Sequence, residues 1–338
     1  MGIVFDADLG NTIDDALALA MLFGFQGRNE SRVLSVSTTK SSLNAAIFAD
    51  VLVRFYTGEP GPFAPAMPIG LSLAGNMAAT TPMLEAVAGN AKYPRTIVKM
   101  NDTADPVALI RNALSAQFDQ NAVVVLTGPA TNLARVLALP GAPPSIAQKV
   151  RTLVVAADAL TMSDIPAARR LFAEWPTAIV VATSDIGDAV PFPGASIDKD
   201  FAWSEAHPLV AAYRAYRPMP YDAPAVAMAA ALYAVRPQEN YFRISGPGTV
   251  IVADDGRFRL APAPGGKHRT LIADPAQKDR IQQIYAETAS TKPVGRVQRF
   301  RPPTRKAIRI LRSSTTVRTI KLRRSCAWHM APPCASAS

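Results

Sequence analysis

Short runs of β-branched and other apolar residues alternate along the chain with longer segments in which apolar residues recur every three or four positions. The short runs predict buried strands at Ile3–Asp6, Val33–Ser37, Ala122–Leu126, Leu153–Ala156 and Ala178–Ala182. The longer segments predict helices at Asp14–Phe25, Leu43–Tyr56, Pro106–Phe118, Ala130–Leu137 and Ile165–Ala173. This alternation indicates an α/β fold with a mostly parallel central sheet flanked by helices.

The pattern changes after Tyr221, where the elements become less regular. A strongly apolar helix at Ala223–Ala234 is followed by predicted short strands at Phe242–Ser245, Val250–Ala253 and Phe258–Leu260 and by a last helix at Pro275–Thr288. The Asp254-Asp255-Gly256 turn joins the last two strands, which predicts a small late β-hairpin region. The four prolines of Gly58–Gly70 predict a surface loop, because proline fits neither a helix interior nor a central strand.

Charge divides the 338-residue chain into two regions. The formal net charge is +10, yet twelve of the 36 Lys and Arg residues follow Ala289 and no Asp or Glu does. The remaining 24 basic residues face 26 acidic ones, so the body of the chain is close to neutral. We predict a folded domain over residues 1–290 and a basic tail over 291–338, which we expect to be disordered. Nucleic-acid binding would be expected only of this tail, and a frameshifted or fused C-terminus would have the same composition.

Several classes of protein are disfavoured by composition. Cys326 and Cys334 both lie in the tail, so the body contains neither a disulfide framework nor a thiolate metal site. A run of about eighteen apolar residues, as needed for a membrane span, does not occur. The first strand begins at Ile3 without a basic or apolar leader before it, so we expect a cytoplasmic protein.

Four aspartates surround the junction between the first strand and the first helix. Asp6 and Asp8 end the strand, and Asp14 and Asp15 begin the helix. Strand ends and helix starts meet at the ligand-binding edge of a parallel sheet. Carboxylates this close repel one another and need a cation or raised pKa values, and an all-oxygen set suits Ca²⁺ or Mg²⁺. A helix cap at Asp14 with a solvated strand end at Asp6 would explain only part of this cluster.

Three segments in a fixed order resemble a known family. Residues 6–15 resemble the motif Asp-x-Asp-Pro-Gly-x-Asp-Asp, residues 126–134 resemble a Thr-Gly-Pro-x-Thr-Asn-Leu-Ala segment, and residues 221–227 resemble His-Asp-x-x-Ala-Val-Ala. These motifs are found, in this order, in the inosine-uridine preferring nucleoside hydrolases. The resemblance spans about residues 1 to 290.

The resemblance implies a function and a set of site residues. It implies a calcium-dependent N-ribohydrolase that cleaves a nucleoside into ribose and free base, and a homo-oligomer. The implied Ca²⁺ ligands are Asp8, Asp15, Asp222 and the main-chain carbonyl of Thr127. By the same resemblance Asp14 binds the ribose hydroxyls, and Asp8 is also the general base. These roles suit the chemistry, because Ca²⁺ accepts six to eight oxygens and a nearby carboxylate can take a proton from water.

The chain departs from the family at several ligand-binding positions. Asn11-Thr12 reads as a two-residue insertion, and Leu9 replaces the proline of the motif. Ser42 stands in the place of an asparagine that follows the second strand, and Asp158-Ala159-Leu160 replaces Glu-Phe-Asn. We therefore take Asp14, Ser42 and Asp158 as the candidate substrate-binding residues.

The histidine that assists the leaving group in the family appears here as Tyr221, the candidate proton donor. A phenol has a pKa near 10 and is a weaker acid than imidazole. Two alternatives to efficient catalysis stay open. The chain could be a nucleoside hydrolase-like binding protein with weakened catalysis. It could also be a haloacid dehalogenase-like, Mg²⁺-dependent phosphatase, since such enzymes also begin with a strand followed by Asp-x-Asp.

Overall fold

The structure is a computed structural model that describes residues 1–61, 65–74, 79–158 and 163–293. Its strands are β1 Gly2–Ala7, β2 Arg32–Thr38, β3 Ile69–Leu71, β4 Ala122–Leu126, β5 Val150–Ala157, β6 Ala178–Thr183, β7 Arg243–Ile244, β8 Gly248–Val252, β9 Phe258–Pro262 and β10 His268–Ile272. The predicted tail from residue 294 lies outside the described residues, so the predicted division of the chain stays a prediction.

Helices connect and cover these strands. They are α1 Asp14–Gly27, α2 Leu43–Thr57, α3 Pro82–Ala88, α4 Pro106–Ser115, α5 Thr131–Leu137, α6 Ala142–Lys149, α7 Ile165–Glu174, α8 Ser184–Ala189, α9 Ala195–Lys199, α10 Pro208–Tyr216, α11 Val226–Val235 and α12 Lys278–Ala289, with short 3-10 turns at Met100–Asp102 and Pro275–Gln277. None of the helices within these residues is long and apolar enough to cross a membrane.

The strands form one mixed sheet in the order β3-β2-β1-β4-β5-β6-β10-β8-β9, with β7 paired to β10. In this order, each neighbouring pair from β3 to β10 is parallel. The last two pairs, β10 with β8 and β8 with β9, are antiparallel. The predicted mostly parallel sheet is confirmed. β1 lies in its interior between β2 and β4, so the aspartates that follow β1 are surrounded by the ends of other strands.

Alternating side chains of the central strands enter two separate cores. In β1, Ile3 and Phe5 belong to the core formed with α1, α2 and α11, whereas Val4 faces the core formed with α4 to α7. β4 alternates in the same way, with Val125 on the first side and Val124 on the second. Burial on both faces explains why these strands read as continuous apolar runs in the sequence.

The five strands and five helices predicted in the first two thirds of the chain are present, with shifts of a few residues at their ends. The predicted hairpin is present as β8 and β9, and Gly256 in its turn adopts a positive φ of 79°. The predicted loop Gly58–Gly70 ends too late, because Ile69 and Gly70 are buried and pair with β2 as part of β3. Residues 62–64 of that loop lie outside the described residues.

Two strands escaped prediction because their character depends on distant partners. β3 has only three residues, too few to show a periodic pattern. β10 begins at His268, and only His268 and Leu271 of its five residues are buried, so it lacks the alternation that predicts a strand. It pairs in parallel with β6 some ninety residues earlier. It thereby attaches the antiparallel hairpin to the edge of the parallel sheet.

Candidate functional site

A tight loop connects β1 to α1 and carries the aspartates. Gly10 adopts a φ of 101°, a backbone conformation that glycine reaches without steric strain. The N–H of Asn11 donates to the carbonyl of Asp8 at 3.2 Å. The hydroxyl of Thr81 donates to the carbonyl of Gly10 at 2.7 Å. Leu9 is buried in the core. These two hydrogen bonds fix the main chain of the loop between β1 and α1.

Asp6 is buried and joins three elements. Its Oδ1 accepts hydrogen bonds from the hydroxyl of Ser37 at 2.6 Å and from the side-chain amide of Asn132 at 2.9 Å. Burial raises the pKa of Asp6 to about 6, although both hydrogen bonds act in the opposite direction. Asp6 thus ties the end of β1 to β2 and α5 and is not a solvated strand end.

Asp8 and Asp15 lie within hydrogen-bonding reach of each other and are both buried. Burial raises the pKa of each carboxyl, and repulsion between the two charges raises the pKa of Asp15 further. Among the described residues, the Oδ2 atom of Asp15 has no hydrogen-bond partner. Thr127, directly after β4, lies beside Asp15 and is fixed by a 2.8 Å hydrogen bond from its N–H to the carbonyl of Asp6.

Asp14 binds the N-terminus of a helix more than two hundred residues away. Its carboxylate accepts hydrogen bonds from the N–H groups of Ala227 at 2.6 Å and Met228 at 3.2 Å, in the first turn of α11. These donors and the positive end of the helix favour the charged form. Burial outweighs them and raises the pKa of Asp14 to about 7.

The two remaining substrate-binding candidates lie at the ends of their elements. Asp158 follows β5 directly, and its charge raises the pKa values of both Asp8 and Asp14, so the structure brings it to the aspartate cluster. Ser42 occupies the N-cap position of α2, and its main-chain N–H donates to the carbonyl of Lys40 at 2.7 Å. Leu160 lies outside the described residues.

Asp222 and Tyr221 occupy an extended segment before α11. The predicted start of this helix at Ala223 is wrong: the helix begins at Val226, because Ala223 pairs with Phe192 and the residue before Pro224 is held in an extended conformation. Asp222 is exposed, and its Oδ1 accepts a hydrogen bond from the N–H of Gly194 at 2.8 Å.

The hydroxyl of Tyr221 is already occupied in this arrangement. It donates to the carbonyl of Tyr213 at 2.6 Å, while the hydroxyl of Tyr213 donates to the carbonyl of Tyr221 at 2.8 Å. The two rings stack with their centroids 4.4 Å apart. Burial raises the pKa of Tyr221. A role of Tyr221 as proton donor therefore requires its hydroxyl to leave the Tyr213 carbonyl first.

Solved structures with this arrangement of strands and helices are nucleoside hydrolases and proteins related to them in shape. The inosine-uridine preferring nucleoside hydrolase from Bacillus anthracis superimposes with a TM-score of 0.64 at 16% identity, over 86% of this chain and 99% of that one. The purine-preferring ribonucleoside hydrolase from Gardnerella vaginalis gives 0.64 at 17% identity, over 86% and 98%. This chain has the nucleoside hydrolase fold. The fold expected from the three motifs is confirmed.

A third similar structure is a type III effector protein, XopQ, complexed with adenosine diphosphate ribose. It superimposes with a TM-score of 0.64 at 12% identity, over 87% of this chain and 94% of that one. Neither a family model nor a curated protein sequence matches the chain. At these identities the similarity establishes the fold, and the chemistry has to be argued from the side chains.

The carboxylates of this nucleoside hydrolase fold partly suit a hard cation. The Asp8–Asp15 pair offers oxygen donors beside Thr127, and Oδ2 of Asp15, which has no hydrogen-bond partner among the described residues, is a buried acceptor that a cation would satisfy. Among the described residues, no three His, Cys, Asp or Glu side chains form a group that could hold a metal ion. The predicted four-ligand set stays a prediction.

Sequence reasoning missed a lysine and an asparagine beside the cluster. The ammonium of Lys40 donates to Oδ1 of Asn11 at 2.5 Å, and the amide nitrogen of Asn11 donates to Oδ2 of Asp8 at 2.8 Å. Lys40 is only 1% exposed. A signal was available, because Lys40 follows β2 at the same sheet edge as the aspartates, but sequence alone does not reveal that a lysine there is buried.

Proposed function

We propose that this protein is an N-ribohydrolase that binds a ribosyl group over the buried carboxylates and hydrolyses its N-glycosidic bond. The observation that supports it most directly is the juxtaposition of Asp8, Asp14, Asp15 and Asp158 at the carboxyl edge of a nucleoside hydrolase-like sheet. Departure of the base from a ribosyl group leaves oxocarbenium character on the sugar, and surrounding carboxylates stabilise that charge.

Asp14 can bind the sugar without releasing α11. A carboxylate has about four acceptor positions, and the N–H groups of Ala227 and Met228 use only two of them. The other positions can accept hydrogen bonds from vicinal ribose hydroxyls. Asp158 lies close enough to influence the charge of Asp14 and would approach the same sugar.

Asp8 is the proposed general base. Burial raises its pKa above the ordinary value, and a carboxyl with a raised pKa takes a proton from water more readily than an ordinary one. The amide of Asn11 fixes Oδ2 of Asp8, which orients the remaining lone pairs. Asp8 therefore combines raised basicity with a defined orientation.

A calcium ion would be held by Asp8, Asp15 and the main-chain carbonyl of Thr127. When bound, it would supply Lewis-acid chemistry, which lowers the pKa of a bound water and neutralises the carboxylates. The predicted fourth ligand is Asp222, whose Oδ1 accepts a hydrogen bond from the N–H of Gly194 and whose carboxylate has further acceptor positions. Calcium dependence is accordingly part of the proposal to be tested.

The decisive experiment measures ribose release. Purified protein is incubated with inosine, uridine, adenosine and cytidine, with CaCl₂ or with a chelator, and reducing sugar is assayed. We expect release with calcium, and at least a hundredfold loss in Asp8→Asn, because an amide cannot accept the proton. The matched control is Asp119→Asn, the same change at an exposed aspartate paired with Lys149. Absence of ribose from every nucleoside would refute the catalytic proposal.

A second candidate function is ligand binding without efficient turnover. It is favoured by the Tyr221 hydroxyl, whose proton is held by the Tyr213 carbonyl, and by the structure of XopQ complexed with adenosine diphosphate ribose. Calorimetry with ribose, inosine and adenosine diphosphate ribose separates the two functions. Saturable binding of any of these without ribose release supports a binding protein, whereas rapid turnover excludes it. Phosphate release from a general phosphatase substrate with Mg²⁺ would instead support the phosphatase alternative.

A further inference from the structure

Lys40 is buried at the edge of the aspartate cluster. Its main-chain N–H donates to the hydroxyl of Thr38 at 3.2 Å, which fixes the residue just beyond the end of β2. Its ammonium donates to Asn11, and Asn11 in turn donates to Asp8, so that one asparagine side chain separates the positive charge from the Asp8 carboxylate. The bridging asparagine lies in the loop between β1 and α1.

Lys40 is an unusual residue to find buried, because it carries a positive charge. Removing a lysine from water is costly unless it is paired or satisfied by hydrogen bonds. Among the described residues, Lys40 is the one lysine or arginine that is buried. It lies on the side of the molecule where Asp6, Asp8, Asp14 and Asp15 are buried together, and its attraction to Asp8 opposes the effect of burial on its charge.

We propose that Lys40 is a built-in counter-cation of the aspartate cluster, which positions Asp8 through Asn11 and lowers the affinity of the cluster for a divalent cation. This inference rests on the metal site of the proposed function. An ammonium held close to a metal site repels the incoming cation and already neutralises part of the charge that would attract it. Lys40 is a positioning residue, since its contacts are with Asn11 and Thr38.

Calorimetric titration with CaCl₂ tests the proposal directly. The proteins compared are the wild type, Lys40→Gln, Lys40→Met and Lys92→Gln. Glutamine can still donate a hydrogen bond to Asn11 but carries no charge, and methionine removes both. Lys92 is exposed and provides the same change in net charge at the surface. We expect Lys40→Gln to bind Ca²⁺ at least about tenfold more tightly than the wild type, and Lys92→Gln to stay within about twofold of the wild type. Lys40→Met also loses the hydrogen bond that positions Asn11, so it should bind Ca²⁺ more weakly than Lys40→Gln.

The direction of the change separates this role from a purely structural one. A lysine that only supported the fold would, when replaced, weaken calcium binding. Equal or weaker binding by a folded Lys40→Gln variant would therefore overturn the proposal, as would a complete lack of calcium binding by all four proteins. If a neutral variant is unfolded without metal, thermal unfolding with increasing CaCl₂ decides the matter. Calcium should then restore the folded state, and failure to do so would overturn the proposal.

Ribose release, measured in parallel, keeps this inference separate from the proposed function. If no ribose is released but calcium binds more tightly to the Lys40 variants, the catalytic proposal fails and the counter-cation role stands. If ribose is released and the calcium affinities of wild type and variants are equal, the catalytic proposal stands and the counter-cation role fails.

Discussion

Gly128 offers a direct test of how closely the elements of the proposed metal site are packed. It follows Thr127 at the end of β4, and a Cβ atom added to it would lie 2.6 Å from the main-chain nitrogen of Asp8 and 2.7 Å from the carbonyl carbon of Ala7. These neighbours are main-chain atoms and cannot move as a side chain can. β1 and β4 are hydrogen-bonded neighbours, so Gly128→Ala must push the end of one strand away from the other.

The size of the effect follows from the cost of overpacking. Inserting a methyl group into a filled space typically costs about 1–3 kcal/mol. For a domain of roughly 150–250 residues, each kcal/mol lowers the Tm by about 2–4 °C, and this domain is somewhat larger, so we expect Gly128→Ala to melt roughly 2–10 °C below the wild type. The displacement also separates the Thr127 carbonyl from Asp8, which should weaken Ca²⁺ binding by about tenfold or more.

Scanning calorimetry and CaCl₂ titration measure the two effects. The control is Gly246→Ala, because a Cβ atom at that glycine would meet no atom within 4 Å. We expect the Tm and the calcium affinity of Gly246→Ala to equal those of the wild type. An unchanged Tm for Gly128→Ala would refute the packing argument. An unchanged calcium affinity would show that Thr127 and Asp8 do not share an ion.

Three further predictions concern the aspartates and the tail. Burial raises the pKa of Asp14 from 3.8 to about 7, so the folded state keeps a proton that the unfolded state releases. The free energy of unfolding of metal-free protein should therefore fall as the pH rises from about 4 to 7, by at most about 4 kcal/mol from this group. Urea denaturation at a series of pH values measures this fall, and Asp14→Asn should remove the part that Asp14 contributes. The same dependence on pH in wild type and Asp14→Asn would contradict the prediction. Asp15→Asn should lower calcium affinity more than about tenfold in calorimetry, unlike Asp119→Asn, because a hard cation loses a charged ligand. Truncation after Thr291 should leave the Tm within about 2 °C, and a large loss would indicate that the tail stabilises the body.

The order of strands and helices and the chemistry of the strand–loop–helix junction could be read from the sequence. Both depend on local properties. The runs at β1 and β4 are continuously apolar because both faces of these strands are covered, and the density of carboxylates between Asp6 and Asp15 is itself unusual enough to indicate a site. The family motifs then indicated the fold, which the similar structures confirm.

What each carboxylate contacts was decided only by the tertiary structure. Asp14 accepts hydrogen bonds from Ala227 and Met228, and Asp6 from Asn132, across separations that leave no periodic signal. Asp222 is part of a family motif, and its hydrogen bond from the N–H of Gly194 could not be read from that motif. The burial of Lys40 is likewise decided by tertiary packing. Local pattern fixes the periodicity of an element, whereas burial and charge pairing depend on which elements the packed sheet brings together.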